Sequence, residues 1–160
     1  MKACLIHNLW GAYARGGGER AIQNIVQGLR ERGFEVSVIT TKPWGAAPSA
    51  EKGTYELGSG YHFLGRWPIW LRLVWHFFNL LNPFKYFQVA SILRRERPDI
   101  VWTHNLTGFG FLVWRAAAAY RHIHTVHDIQ LLHPSGLMLY GHEGMTRSLP
   151  ARLYQALLRG

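Results

Sequence analysis

Acidic residues are scarce in this chain: nine Asp and Glu stand against 18 Lys and Arg, 14 of them arginine, for a formal charge of +9 with neutral histidines. The natural partner is therefore anionic, and charge alone does not choose among a phosphorylated small molecule, nucleic acid and an acidic membrane surface. Cysteine is nearly absent as well. The single Cys4 excludes an intrachain disulfide and a Cys-rich zinc site, and it fits a reducing compartment. Long apolar runs are missing too. Ala3 to Ile6 is too short for a signal peptide, and Trp67 to Leu81 is broken by Arg72, His76 and Asn79 and followed by Pro83, well short of the roughly 20 apolar residues of a spanning helix. No internal repeat, low-complexity segment, P-loop, nucleophile elbow, H-E-x-x-H pair or zinc finger is present.

What remains is a globular composition. With 160 residues, 48% of them apolar and 17% charged, the chain is long enough for one domain with its own core and too apolar to be disordered. Lys2 to His7 reads as a short buried strand bounded by Asn8 and Gly11. After Gly16-Gly17-Gly18, the residues Ile22, Ile25, Val26 and Leu29 recur at i, i+3, i+4, i+7, one face of a helix that stops at Gly33. Glu35 to Thr40 is the next strand. This βαβ unit makes its two strands parallel through a right-handed crossover.

Residues 41 to 60, rich in Gly, Pro, Ala and Ser, read as a mobile connection, with Tyr61 to Leu64 a weak strand candidate. A helix starts near Trp67 with Arg72, His76 and Asn79 as its narrow polar stripe. A second follows Pro83, with Tyr86, Val89, Ala90 and Leu93 on one face, Lys85, Arg94, Arg95 and Arg97 toward solvent, and Pro98 as its end. Asp99 to His104 is a strand, Gly110 to Tyr120 a helix and His122 to His127 a strand. Leu131 to Gly144 is then a loop, and Pro150 to Leu158 an amphipathic helix. The expected fold class is α/β, a Rossmann-like doubly wound, mainly parallel sheet.

In such sheets ligands bind beyond the carboxyl ends of the strands, and His7, His104 and His127 stand there, with Asn105 and Asp128 directly after the last two. Each could merely satisfy loop carbonyls, but three at one rim point to a polar site. The Gly16-Gly17-Gly18 loop opening a helix offers close backbone N–H groups and a favourable dipole to a phosphate; its alternative is a loop that needs positive φ angles. Residues 16 to 21 also match G-x-G-x-x-[GA]. However, the glycines begin nine residues after His7, and the second strand ends in Thr40-Thr41-Lys42 with no acid to hold a ribose, so no nicotinamide site is read. His122, His124 and His127 with Asp128 would suit a metal only if the strand ended before His127, and no metal site is expected.

The aromatic stretch Trp67 to Leu93 allows two readings. It is core against the sheet, or Trp67, Trp70, Trp75, Phe77 and Phe78 with Arg66 and Arg72 form an interfacial anchor on acidic lipid. Nucleic-acid binding fits poorly, because no helix carries a clear basic face with exposed polar readers.

Five strings in order carry a resemblance: His7-Asn8; Ala14-Arg15-Gly16-Gly17-Gly18-Glu19-Arg20; Arg32 to Thr40; Arg97 to Asn105; and Thr125-Val126-His127-Asp128 with Leu131 to Pro134 and Gly136. Together they resemble the N-terminal, acceptor-side domain of the glycosyltransferase family 4 enzymes, retaining enzymes of the GT-B architecture, with residues 43 to 97 matched least. The resemblance implies that residues 1–160 are one Rossmann-like half, incomplete at its C-terminal end, which faces a donor domain across a cleft. The family's donor-side E-x7-E pair of glutamates does not occur, so the C-terminal donor domain is absent and the isolated chain is expected to be inactive.

By the same resemblance, Gly16, Gly17 and Gly18 approach the donor diphosphate and His127 is the active-site histidine that contacts the transferred sugar. Asn105 and Asp128 match positions of substrate contact or loop support, and the strand-end histidines His7 and His104 are expected to contact substrate from the same rim. The implied partners are a nucleotide sugar, a sugar or lipid-linked acceptor, and a C-terminal donor domain or second chain, with no further cofactor. The expected location is cytoplasmic, with peripheral contact at the inner membrane face. The rival readings are a non-catalytic Rossmann-like module, a subunit of a split enzyme, and a nucleotide-dependent enzyme of another Rossmann class.

Overall fold

The apolar run at the N-terminus forms β1 (Lys2–Ile6) and the periodic segment after the glycines forms α1 (Gly17–Glu31); β2 (Glu35–Pro43) then lies parallel to β1, with Cys4 opposite Ser37. The computed structural model describes residues 1–127 together with 149, 152 and 156. The chain divides into two compact units, Met1–Thr125 and Val126–Gly160. Asp128, the loop from Leu131 to Gly144 and most of the helix expected from Pro150 lie outside the described residues.

Alternate residues of each strand face opposite sides of a sheet, so a strand covered on both sides must be apolar throughout. That is the case for β1. Ala3 and Leu5 pack with Val36, Val38, Ile22, Val26 and Trp10 on the α1 side, while Cys4 and Ile6 pack with Ile39, Val89, Leu93, Phe109 and Val113 on the other. Burial among these side chains pushes the Cys4 thiol up to about 12, which leaves it protonated and unreactive.

Five strands make up the sheet, in the order β3-β2-β1-β4-β5 and all parallel, with β3 (Thr54–Ser59), β4 (Ile100–Thr103) and β5 (Arg121–His124). Helices α2 (Ile69–Leu80) and α3 (Pro83–Glu96) connect β3 to β4, and α4 (Leu112–Ala117) connects β4 to β5. The order reverses between β1 and β4, the position where open α/β sheets open a crevice for a ligand.

Three expectations change. Thr54 to Ser59, read as connection, is an edge strand on β2, and Thr41 to Pro43 lengthen β2 to meet it. Its apolar alternation is confined to Tyr55 and Leu57, which pack on the core between Thr54, Glu56 and Gly58, too short a signal to stand out in a segment rich in Gly, Pro, Ala and Ser. Gly60 to Arg66 is a 3₁₀ helix where a weak strand was expected, with the Ser59 hydroxyl accepting from the Tyr61 N–H. Finally, Lys85 points inward and is 6% exposed. Its ammonium donates to the Gly58 carbonyl at 2.6 Å and to Gln88 Oε1 at 3.1 Å.

At the amino ends of the strands, Lys2 Nζ lies 2.8 Å from Glu35 and 2.9 Å from Glu96. The Tyr55 hydroxyl donates to Glu96 as well. The Tyr55 hydrogen bond, and after it the Lys2 bond, hold the Glu96 carboxyl below its ordinary value. The folded chain therefore binds fewer protons than the unfolded one as pH falls through the ordinary glutamate range near ~4.3, and stability declines there. Urea midpoints of the wild type and Glu96→Gln are expected to differ at pH 7, in favour of the wild type, and the gap to narrow progressively as pH falls below the ordinary glutamate range. A constant gap between pH 3 and pH 7 would show that Glu96 carries no such linkage.

Candidate functional site at the switch point of the sheet

His7 and Asn8 leave β1 next to His104 and Asn105, which leave β4, so the topology sets two of the expected histidines side by side at the crossover point. The His7 N–H donates to the Ile39 carbonyl, that of His104 to Ile6, and that of Asn8 to the Asn105 carbonyl at 3.1 Å. The His7 and His104 rings meet edge to face with centroids 6.0 Å apart, and His104 stacks on Trp102 at 5.3 Å. Both rings are interior, 3% and 0% exposed. They form the floor beneath the rim. Asn105 is half-buried and its Oδ1 accepts from the Thr107 N–H at 2.9 Å, which ties the side chain to the turn of its own loop.

A histidine that sequence reading missed reaches the same rim. His62, on the 3₁₀ helix, has its Nε2 3.0 Å from Thr41 Oγ1, and that hydroxyl stands 2.6 Å from the Asn8 carbonyl. Thr41 has one hydroxyl proton and spends it on Asn8, so His62 Nε2 carries the proton and donates. Burial lowers the His62 pKa, a hydrogen bond to Thr41 opposes the shift, and the positive charge of Arg15 lowers it further, so the ring is neutral at pH 7. The signal was faint: a histidine between Tyr61 and Phe63 in a segment with no regular period.

From β1 the chain passes the buried Trp10 and a 3₁₀ turn at Gly11–Tyr13, and the Tyr13 ring lies 5.1 Å from that of His62. It then enters α1 through Gly16, the residue capping the helix. The loop alternative fails here, since Gly16 has φ −139 and neither Gly17 nor Gly18 has positive φ. A Cβ on Gly17 or Gly18 would meet nothing within 4 Å, so the fold does not demand the missing side chains. Their absence opens the first turn of α1 to a guest that approaches the backbone N–H groups, for which an anion is suited. Glu19 already bonds the Gly16 N–H at 2.7 Å and would have to yield to an anion at that position.

At the far side of the rim, Thr103 Oγ1 lies 2.7 Å from His122 Nε2 and 2.9 Å from His124 Nδ1, and the Trp102 indole donates to Thr125 Oγ1 at 2.8 Å. His122 and His124 thus share a face. Among the described residues no three His, Cys, Asp or Glu side chains are grouped to hold a metal. His127 is exposed and belongs to the unit that begins at Val126, whereas Asp128 lies outside the described residues.

The aromatic face of α2 is also settled. Trp70, Leu73, Val74, Phe77, Phe78 and Leu81, spaced as one helical stripe, are all exposed, with Phe77 70% and Phe78 67% accessible. The core reading is overturned for this stripe, because the side of α2 carrying Trp75 and Asn79 is the one turned to the protein.

Comparison with known proteins bears on these geometries. The chain is 29% identical over 169 residues to an uncharacterized 42.6 kDa protein in the cps region of Klebsiella pneumoniae, covering 96% of this chain and 44% of that protein. In fold it is similar to sucrose-phosphate synthase from Thermosynechococcus elongatus, with a TM-score of 0.59 and 12% identity over 98% of this chain and 39% of that one. The chain thus spans less than half the length of either. The fold is one Rossmann-like half of the GT-B architecture. The sequence model of Glycosyltransferase Family 4 matches residues 15–160, and the chain belongs to that family.

Proposed function

We propose that the chain is the acceptor-side half of a retaining glycosyltransferase, moving a sugar from a nucleotide-sugar donor to a glycan or lipid-linked acceptor together with a donor-side half. The observation that carries this reading is the bare first turn of α1 on the rim of the switch point: three glycines without positive φ, two of them with open space where a side chain would stand, in a family of glycosyltransferases. N–H groups of that turn and the helix dipole are placed to stabilise a departing diphosphate, and electrostatic stabilisation of this kind supplies much of the rate in such transfers. Arg15 beside it adds positive charge to the same rim. His127 and Asp128 retain their proposed roles at the transferred sugar and the substrate, respectively, while the buried His7 and His104 support Asn8 and Asn105 from below. No metal or organic cofactor enters the proposal.

The exposed surface supports a peripheral membrane contact for this half. No Asp or Glu stands between Glu56 and Glu96, and this acid-free stretch holds the exposed aromatic stripe of α2 with the exposed Arg66 and Arg72. Aromatic residues at headgroup depth and arginines facing acidic lipid are what a peripheral contact needs. Among the described residues no helix is long and apolar enough to cross a membrane. We place the half-enzyme on an acidic membrane surface, on the cytoplasmic side.

The test uses the purified chain alone and mixed with the separately produced part of the Klebsiella relative that lies beyond the aligned region, given radiolabelled nucleotide sugars and a membrane lipid extract. Label is expected in product only with the mixture, and the product is expected to keep the donor's anomeric configuration. Transfer by the chain alone would overturn the half-enzyme reading. Absence of transfer by the mixture and by a covalent fusion of the two would overturn the transferase reading.

A further inference from the structure

A cavity of about 250 Å³ opens where β3 ends, lined by Trp44, Trp75, Asn79, Asn82, Lys85 and Gln88 among others. It is far larger than the ~30 Å³ that one water occupies. Trp44 lies across Gly58 and Gly60: a Cβ on either would come within 2.9 and 2.8 Å of its indole, so the two glycines are the bed of that ring. Phe63 flanks it with centroids 6.3 Å apart, while Trp44 itself stays 57% exposed at the mouth. Tyr61 flanks Trp75, and the Trp75 indole nitrogen also closes on Gly60.

Two features inside the cavity call for a polar guest. The Lys85 ammonium is buried, it donates to the neutral oxygens of Gly58 and Gln88, and among the described residues no carboxylate lines the cavity or pairs with it. Burial pushes its pKa down to about 8. A cation removed from water without a counter-ion is costly, and an anionic ligand would supply the missing charge. Asn79 also lines the cavity, its side-chain Oδ1 has no hydrogen-bond partner among the described residues, and a turn of the amide toward the cavity would let it accept from a donor such as a hydroxyl. An anion is wanted at one end, a hydroxyl donor beside it and an indole face at the mouth.

We propose that this cavity binds a sugar phosphate, with the phosphate on Lys85, a sugar hydroxyl on Asn79 and the ring against Trp44. Resting on the transferase reading, it is the subsite for the phosphorylated saccharide of the acceptor. Phe84, 80% exposed, lines the same cavity and continues the apolar surface of α2. A headgroup seated here would have its lipid beside that surface.

Calorimetric titration of the full chain with glucose 1-phosphate, inorganic phosphate and methyl glucoside tests the site without donor or transfer. Saturable binding of glucose 1-phosphate is expected, at least tenfold weaker for the other two probes. Lys85→Met is expected to weaken it at least tenfold and Trp44→Ala several-fold, with melting temperatures of both variants checked so that folding is not in question. Between pH 7 and 9.5 the sugar phosphate remains a dianion while Lys85 loses its proton, so wild-type affinity is expected to fall and that of Lys85→Met to stay flat. In a second arm, vesicles carry polyprenyl-phosphate-linked glucose. Weaker retention of Lys85→Met there identifies the lipid head as the source, and an effect confined to the free sugar phosphate identifies a soluble one.

No saturable binding by the wild type, or binding unchanged in folded Lys85→Met, would overturn the site. Saturable, Lys85-dependent binding combined with failure of the transfer experiment would instead overturn the transferase reading and leave the site standing.

Discussion

Alanine at Gly110 is expected to lower the melting temperature by about 10 °C, whereas alanine at Gly17 leaves it unchanged or slightly raised. Gly110 sits at φ +81, and a Cβ there would overlap the Asn79 carbonyl oxygen and come within 3.1 Å of both Asn82 Cβ and Asn82 N. These neighbours are the backbone of the last turn of α2 and the N and Cβ of Asn82, which caps α3, with the stretch tied down by the Phe111 N–H donating to the Leu80 carbonyl. Neither can rotate away as a side-chain tip could. The left-handed conformation costs an alanine about 1–2 kcal/mol, and overpacking adds about 1–3 kcal/mol. Of a total stability of ~5–15 kcal/mol, that loss is large. Gly17 has open space around it and a helical backbone, where alanine is the better helix former by up to about 1 kcal/mol. Thermal denaturation of the two variants separates a glycine the fold requires from one it does not. Equal melting temperatures would remove the argument for both. Gly17→Ala, still folded, is then the variant in which loss of sugar transfer speaks for the diphosphate.

The doubly wound sheet was legible wherever a segment was buried on both sides or had one buried helical face. β1 shows a run without polar interruption, and α1 shows Ile22, Ile25, Val26 and Leu29 at helical spacing. β3 was not legible. An edge strand with a glycine and a glutamate inside it places only Tyr55 and Leu57 on the core and otherwise gains its place from backbone pairing with β2, so its side-chain pattern is too short to stand out. Periodicity located α2 but left its stripe open between core and interface, since spacing tells which residues share a face and not what covers that face. Lys85 fails for a related reason. A lysine in a helix reads as solvent-facing, and only the open end of β3, with the Gly58 carbonyl free to accept, gives its ammonium somewhere inside to go. In the candidate site, His7, His104 and Asn105 could be assigned to strand ends because they close the short apolar runs Ala3 to Ile6 and Ile100 to Trp102. His62 follows none, and its approach to Thr41 depends on how β2 and the 3₁₀ helix meet.

Phosphatidylcholine vesicles containing phosphatidylglycerol are expected to pellet the chain, and Phe77→Ser combined with Phe78→Ser to reduce that binding by at least about tenfold for each phenylalanine replaced. Burying a phenylalanine side chain is worth about 1.5–3 kcal/mol, and 1.4 kcal/mol is a factor of ten. Both rings are two-thirds exposed or more, so the double variant is expected to melt with the wild type, unlike a core replacement. Charge accounts for the dependence on lipid. Arg66 and Arg72 flank the stripe, no carboxylate lies between Glu56 and Glu96 to oppose them, and each cation near an acidic surface contributes about 1 kcal/mol, screened as salt rises. Binding is therefore expected to weaken with added salt and to be least on phosphatidylcholine alone. Two results would overturn the membrane reading: no pelleting with acidic vesicles, or equal pelleting of the double variant. Concentration-dependent dimerisation in sedimentation, abolished by the same two serines and unaccompanied by vesicle binding, would assign the stripe to a second copy of the chain.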